Sequence, residues 1–155
     1  MGIPDGYNTI PYEPFGRCLS KNLAAADLTG NVKRFTVEGV VRIKGLGLHV
    51  TAAIAAGANT LKVTHTPTGG NATDLCGATD TDSAAVNSLF LVDGVKATAL
   101  VKTTDAGIGV AANEHMPIVL APGDIKLVFS AAAPATGAAT LFVAYEPLTP
   151  GATIT

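Results

Sequence analysis

From Lys33 onward the dominant period in the chain is two, and a period of two commits a polypeptide to strands rather than helices. Between Arg34 and Lys44, Phe35, Val37, Gly39, Val41 and Ile43 share one face, and Arg34, Thr36, Glu38, Val40, Arg42 and Lys44 share the other. This is the pattern of a half-buried strand. Leu46–Ile54 is a second candidate, with Gly45 and Gly47 allowing a bulge or tight bend. Leu61, Val63 and His65 alternate with Lys62 and Thr64 after the turn signal Gly57-Ala58-Asn59, and Pro67–Asn71 reads as a loop. Asn87–Val92 is apolar and β-prone, and Asp93-Gly94 predicts a hairpin turn into Ala97–Lys102. Met116–Leu120 is short and stops at Pro122-Gly123. Ile125, Leu127 and Phe129 then alternate with Lys126, Val128 and Ser130. In Thr140–Glu146, Leu141, Val143 and Tyr145 oppose Phe142 and Ala144. About eight short strands with turn-punctuated spacing predict an all-β domain, a β-sandwich or jelly roll.

Residues 1–32 follow a different rule. Pro4, Pro11 and Pro14 alternate with Gly2, Gly6 and Gly16, and Tyr7, Tyr12 and Phe15 lie between them. Proline at this density blocks a regular helix and keeps the chain extended. Aromatic side chains on an extended segment need a surface to lie on, their own domain's or a neighbour's. Asn22–Leu28 has room for a turn or two of helix, stopped near Gly30. The expected organisation is an extended N-terminal arm over residues 1–32 and one β-sandwich domain over 33–155.

Charge sets the class of partner. Only 14% of the 155 residues are charged, against about 25% in an ordinary soluble domain. A hydrophobic content of 48% excludes a disordered tail, and the scarcity of Glu, Lys and Arg argues against a helical bundle. The net charge of −2 provides no global field for nucleic acid or anionic lipid. The bases nevertheless concentrate at the front: Arg17, Lys21, Lys33, Arg34, Arg42 and Lys44 precede residue 46, against Asp5, Glu13, Asp27 and Glu38. Such a front end, with Arg17 and Lys21 in the arm, suits an acidic partner surface. Leu127–Tyr145 carries no charge, but Ser130, Pro134, Thr136 and Gly137 interrupt it, so two strands around a loop are expected rather than a membrane span. The first residues show neither the basic nor the apolar region of a secretory signal, so export is not expected.

Signals for chemistry are weak throughout. Cys18 and Cys76 form no CxxC pair and are expected to be buried free thiols. His49, His65 and His115 have no metal-binding spacing, and His65 shares the predicted inward face of Leu61 and Val63. Asp74, Asp80 and Asp82 lack the later bidentate glutamate of an EF-hand and are expected to make Asx turns and caps. Ser83 and Ser88 have no nucleophile elbow, and a hydrolase built on Glu114 and His115 finds little support. The residues therefore predict no enzyme, no metal and no cofactor.

Four short motifs occur in a fixed order: Phe35-Thr36-Val37-Glu38-Gly39-Val40-Val41, Asn59-Thr60-Leu61-Lys62, Asp74-Leu75-Cys76 after a Pro/Gly loop, and Tyr145-Glu146-Pro147-Leu148-Thr149-Pro150-Gly151-Ala152. Over residues 33–152 this set resembles small tailed-bacteriophage virion proteins that decorate or cement the outside of the head. The resemblance implies a β-sandwich that forms trimers on the capsid, bridges neighbouring capsomers and contacts the major capsid protein in the virion. The arm has no counterpart in the motif set. On this reading the partner-facing residues are Tyr7, Tyr12, Phe15, Arg17 and Lys21 of the arm. Val40, Val128 and Phe142 join them, as apolar residues on faces predicted to point outward. The alternative is a ligand- or receptor-binding head module of a phage tail or fibre, with the loops Pro67–Asp82 and Thr103–Glu114 as its binding edge.

Overall fold

Because each alternating segment hides one face and wets the other, the segments pair into two sheets that share their apolar faces. The computed structural model describes residues 16–95, 100–103 and 118–155. The strands are β1 (Arg17–Ala24), β2 (Asn31–Glu38), β3 (Val41–Ala52), β4 (Thr60–Pro67), β5 (Thr73–Asp74), β6 (Thr79–Asp80), β7 (Leu89–Leu91), β8 (Val101–Thr103), β9 (Val119–Leu120), β10 (Gly123–Phe129), β11 (Ala138–Pro147) and β12 (Thr153–Ile154). One sheet runs β1-β11-β3-β7-β8, with β9 also on β3; the other runs β12-β2-β10-β4-β5, with β6 also on β4. Every pairing is antiparallel. The fold is an all-β sandwich.

Its core is the inward phase of the strands. Ile43, Leu46, Leu48 and Val50 of β3 and Leu141, Val143 and Tyr145 of β11 join Phe35, Val37, Leu61, Val63, Ile125, Leu127 and Phe129 of the other sheet in one cluster. The largest buried side chains include Tyr145 and Phe90. Leu127–Tyr145 resolves as expected into strand, loop and strand, since β10 ends at Phe129 and β11 begins at Ala138. No helix among the described residues is long and apolar enough to cross a membrane.

Three sequence expectations change. The strand expected over Arg34–Lys44 is two strands in different sheets, because the chain crosses the sandwich at Gly39-Val40. Alternation survives the crossing because both sheets turn the same phase toward a shared core; the exception is Arg34, expected on the outward face but buried at the bulge where the β2–β10 register shifts between Ile125 and Lys126. Gly39 makes the corner possible: its φ is +72°, and a Cβ there would lie 2.7 Å from Ala152 Cβ. The hairpin expected at Asp93-Gly94 is also wider, since the pair nearest the turn is Leu91 with Val101.

The third change concerns the arm. Residues 17–32 belong to the sandwich rather than to a separate segment. β1 pairs with β11 along its whole length, from Arg17↔Tyr145 to Ala24↔Ala138. The helical turn expected near Asn22–Leu28 is a single 3-10 turn at Ala25–Asp27, and Leu28 beside it is buried. Only residues 1–15 remain as a possible arm, and they lie outside the described residues.

Candidate interaction surface

A sandwich of two sheets has two outer faces, and here they differ in chemistry. On the β10 sheet the outward phase is charged. Lys33 pairs with Asp124 at 3.5 Å and Lys62 with Asp74 at 3.0 Å, while Lys126 sits in register opposite Lys33. Exposed pairs of this kind add at most about 1 kcal/mol each, but they keep the face wet.

On the β11 sheet the outward phase is uncharged across three successive cross-strand rows. Register places Ser20, Phe142, Gly47 and Leu91 side by side on β1, β11, β3 and β7. The next row is Asn22, Thr140, His49 and Leu89, and the row on the other side is Cys18, Ala144 and Gly45. Gly47 is the centre of this patch. A Cβ on it would lie 2.8 Å from Phe142 Cζ and 2.8 Å from Leu91 Cδ2. The Phe142 ring therefore lies across Gly47 and against Leu91, an aromatic filling the space a glycine leaves. Among the described residues, charge returns at the end of the face, where Arg42 and Lys44 share Glu146 at 3.4 and 3.7 Å.

The residues predicted to face a partner fall in different places. Phe142 stands at the middle of the uncharged face. Val128 is half-buried on the opposite, charged face, between Asn31 and Lys62. Val40 is not on a sheet face at all. It sits half-buried in the crossover, where its N–H donates to Thr149 Oγ1 at 3.0 Å and its carbonyl accepts from Leu148 N at 2.8 Å. Lys21 lies on the inward phase of β1 at the open side of the sandwich, and its Nζ donates to the Arg34 carbonyl at 3.1 Å. Arg17 stands opposite Tyr145 on the same phase. Burial pushes the Tyr145 hydroxyl pKa up, but hydrogen bonds with Thr153 and Ile154 and the Arg17 guanidinium outweigh it, and the net shift is downward. Both bases thus hold structure on the seam between the sheets. Tyr7, Tyr12 and Phe15 lie outside the described residues. Gly47, Leu89 and Leu91 are the members of the patch that sequence reasoning missed. The available signal was an outward-phase glycine on one strand and an outward-phase aromatic on another, but only the register joins them.

The polar groups singled out in the sequence serve the scaffold. Asp80 Oδ1 accepts from Asp82 N at 2.8 Å, and Asp82 Oδ1 accepts from Gly57 N at 2.8 Å, so this acidic loop is built of Asx turns and caps. No cluster of three His, Cys, Asp or Glu suited to a metal occurs among the described residues. His115 and Glu114 lie outside them. His65 is buried as expected and its Nε2 meets the Ala121 carbonyl at 3.1 Å.

Burial lowers the His65 pKa below 6.5, against smaller upward contributions from the Ala121 carbonyl and Asp124. Since the folded value is the depressed one, its stability contribution is complete above the unfolded pKa and is lost as pH falls through the folded pKa. Urea midpoints measured between pH 8 and pH 5 should therefore fall below about pH 6.5. The fall should be shallower in His65→Gln, and identical pH profiles for the two proteins would show that His65 is not the source.

The two thiols separate sharply. Cys76 is fully buried, accepts a hydrogen bond from Val63 N at 3.2 Å, and has its pKa pushed up to about 11 chiefly by burial. Cys18 is exposed, against the expectation that both are buried. A disulfide-exchange reagent at pH 8 should titrate one thiol per chain in the native protein and two after unfolding. Two fast thiols in the native state would contradict the packing around Cys76.

Neither known protein families nor curated proteins give a match to this chain. Among solved structures, the chain has a neighbour titled "Structure of infectious bursal disease virus Gx strain", at 12% identity and a TM-score of 0.28. The overlap covers 96% of this chain and 43% of that one, so the chain spans less than half the length of the viral protein. A likeness at that level decides nothing about this chain.

Proposed function

We propose that this chain is a non-enzymatic virion structural protein of a tailed bacteriophage, which decorates the head and bridges neighbouring capsomers as an oligomer, a trimer on the reading from its motifs. The observation that carries the reading is the uncharged outer face of the β11 sheet, with Phe142 lying over Gly47 between rows of small and neutral side chains. A face without charges is desolvated at a contact at less cost than a charged one. The motif set over residues 33–152 supports the same reading. Many identical copies on one shell also let a weak single contact suffice.

The test is addition of purified protein to phage heads lacking their decoration, followed by sedimentation, with light scattering on the free protein. Co-sedimentation in a saturable ratio and a mass above one chain are expected. Phe142→Lys should weaken attachment or assembly by about 30-fold, the loss of about 2 kcal/mol typical of an aromatic anchor. A strict monomer that never sediments with heads removes the proposal. Saturable binding to host cells or glycans in its place would favour a tail or fibre head module.

A further inference from the structure

We infer that Lys21 keeps the β1 edge of the sandwich from pairing with the β1 edge of a second copy of this chain. β1 ends its sheet: β11 lies on one side, and among the described residues no strand lies on the other. Six of its eight residues are exposed, so the edge is open to solvent. An open edge of this length is a template for another strand, and proteins blunt such edges with lysines and with charges on the inward phase.

β1 carries its bases in that place. Its outward phase is Cys18, Ser20, Asn22 and Ala24, small uncharged side chains that would not hold a second strand off. Its inward phase is Arg17, Leu19, Lys21 and Leu23, of which Leu23 is buried and Leu19 packs partly against the core. Lys21 thus interrupts an apolar row. In any pairing of two β1 strands that keeps the inward phases together, Lys21 meets a leucine or another base. Directly opposed side chains stand about 4.5–5.5 Å apart. The second sandwich would then close over the seam and take the ammonium out of water without a counter-charge.

The same side chain serves the neighbouring edge. β2 has β10 on one side, and on the other it meets β12 at its far end, at Val37 and Glu38. Before that point Lys21 Nζ crosses from one sheet to the other and donates to the Arg34 carbonyl at 3.1 Å. Arg34 turns its guanidinium onto Asp27, whose second carboxylate oxygen accepts from Ala24 N at 3.0 Å. These contacts hold this side of the fold and do not pass through Lys21, so its loss leaves them in place. An antiparallel pair centred on residue 21 sets Leu19 of each copy opposite Leu23 of the other. Lys21→Val therefore converts the middle of β1 into three successive apolar pairs.

The test is sedimentation velocity of the full chain across about a hundredfold range of concentration. Lys21→Val should exceed the wild-type mass, with association at least about tenfold tighter than any the wild type shows. Lys126→Val removes an outward lysine from the central strand β10 and should keep the wild-type mass. Because every mass is compared with that of the wild type, an oligomer built on another face leaves the comparison intact. Adding Leu19→Lys to Lys21→Val returns a base to the same phase without restoring the contact to the Arg34 carbonyl, and should bring back the wild-type mass. Adding Ala24→Cys to Lys21→Val instead should give an intermolecular disulfide with the exposed Cys18, since the centred pair sets residues 18 and 24 opposite. Far-UV circular dichroism shows whether each variant is folded; if Lys21→Val is not, Lys21→Thr, polar but strand-forming, carries the same comparison. A wild-type mass for the Lys21 variant, an equal rise in Lys126→Val, a double variant that stays associated, or association without the disulfide would each overturn the role of Lys21.

Discussion

Removing residues 1–32 is expected to abolish cooperative unfolding, whereas removing residues 1–15 leaves the transition in place. The larger deletion takes away β1, every backbone hydrogen bond it makes to β11, and the buried side chains of Leu23 and Leu28. It also removes Asp27, whose carboxylate meets Arg34 Nη1 at 3.5 Å and whose carbonyl accepts from Arg34 Nη2. Arg34 is almost fully buried, and a buried guanidinium without partners costs about 3–5 kcal/mol by itself. Losing two buried leucines adds about 2–5 kcal/mol each. Against a total stability of about 5–15 kcal/mol for a domain, the sandwich does not survive. Far-UV circular dichroism and urea titration of the two deletion proteins check this directly. A sharp transition in the protein lacking 1–32 would mean that β1 is an accessory rather than part of the fold.

The second large effect is expected at Asn59, where one buried amide closes the end of the sandwich. Its Nδ2 donates to the Leu28 carbonyl at 3.3 Å and the Ala132 carbonyl at 3.5 Å, and its Oδ1 accepts from Ala131 N at 3.1 Å and Ser130 Oγ at 3.5 Å. Its own carbonyl accepts from both the N–H and the hydroxyl of Thr81, each at 2.9 Å. Three separate chain segments thus meet on one side chain and its peptide group. Asn59→Ala keeps the Thr81 contacts but strands two carbonyls and one N–H. At about 1–3 kcal/mol for each polar group left without a partner, and with some rescue by water, the cost is about 3 kcal/mol. That corresponds to a Tm lower by roughly 6–12 °C for a chain of this length. Asn59→Asp should be no better, because it loses the donor and buries a charge. A midpoint change equivalent to less than about 0.5 kcal/mol in Asn59→Ala would place the end of the sandwich under other control.

Much of this fold was legible in the residues because a period of two reports burial directly. Phe35, Val37, Leu61, Val63, Ile125, Leu127, Leu141 and Val143 were all assigned inward from alternation, and all are buried. What alternation does not report is which sheet a strand joins, so the crossing at Gly39-Val40 read as a straight strand. β1 was missed for a different reason. At the open side of the sandwich its inward phase carries Arg17 and Lys21, whose long stems lie along the seam while their polar heads find carbonyl or hydroxyl partners. That breaks the apolar half of the pattern. The two-residue strands β5, β6 and β12 are too short to show any period. The same limit governs the candidate surface. The outward phase of Phe142 was readable, but its partner Gly47 lies on β3, and neighbour relations between distant strands are set by register rather than by local sequence.

The pairing of β1 with β11 has a consequence for how the molecule comes into being. Two strands near opposite ends of the chain must find each other before the β11 sheet has its edge, and closing so long a loop costs entropy that no local contact repays in advance. Folding is therefore expected on the slow side for a domain of this size, milliseconds to seconds. During synthesis the apolar faces of β2, β3 and β4 leave the ribosome long before the strands that cover them. Until β10 and β11 arrive, this chain depends on whatever shields nascent hydrophobic surface in the cell.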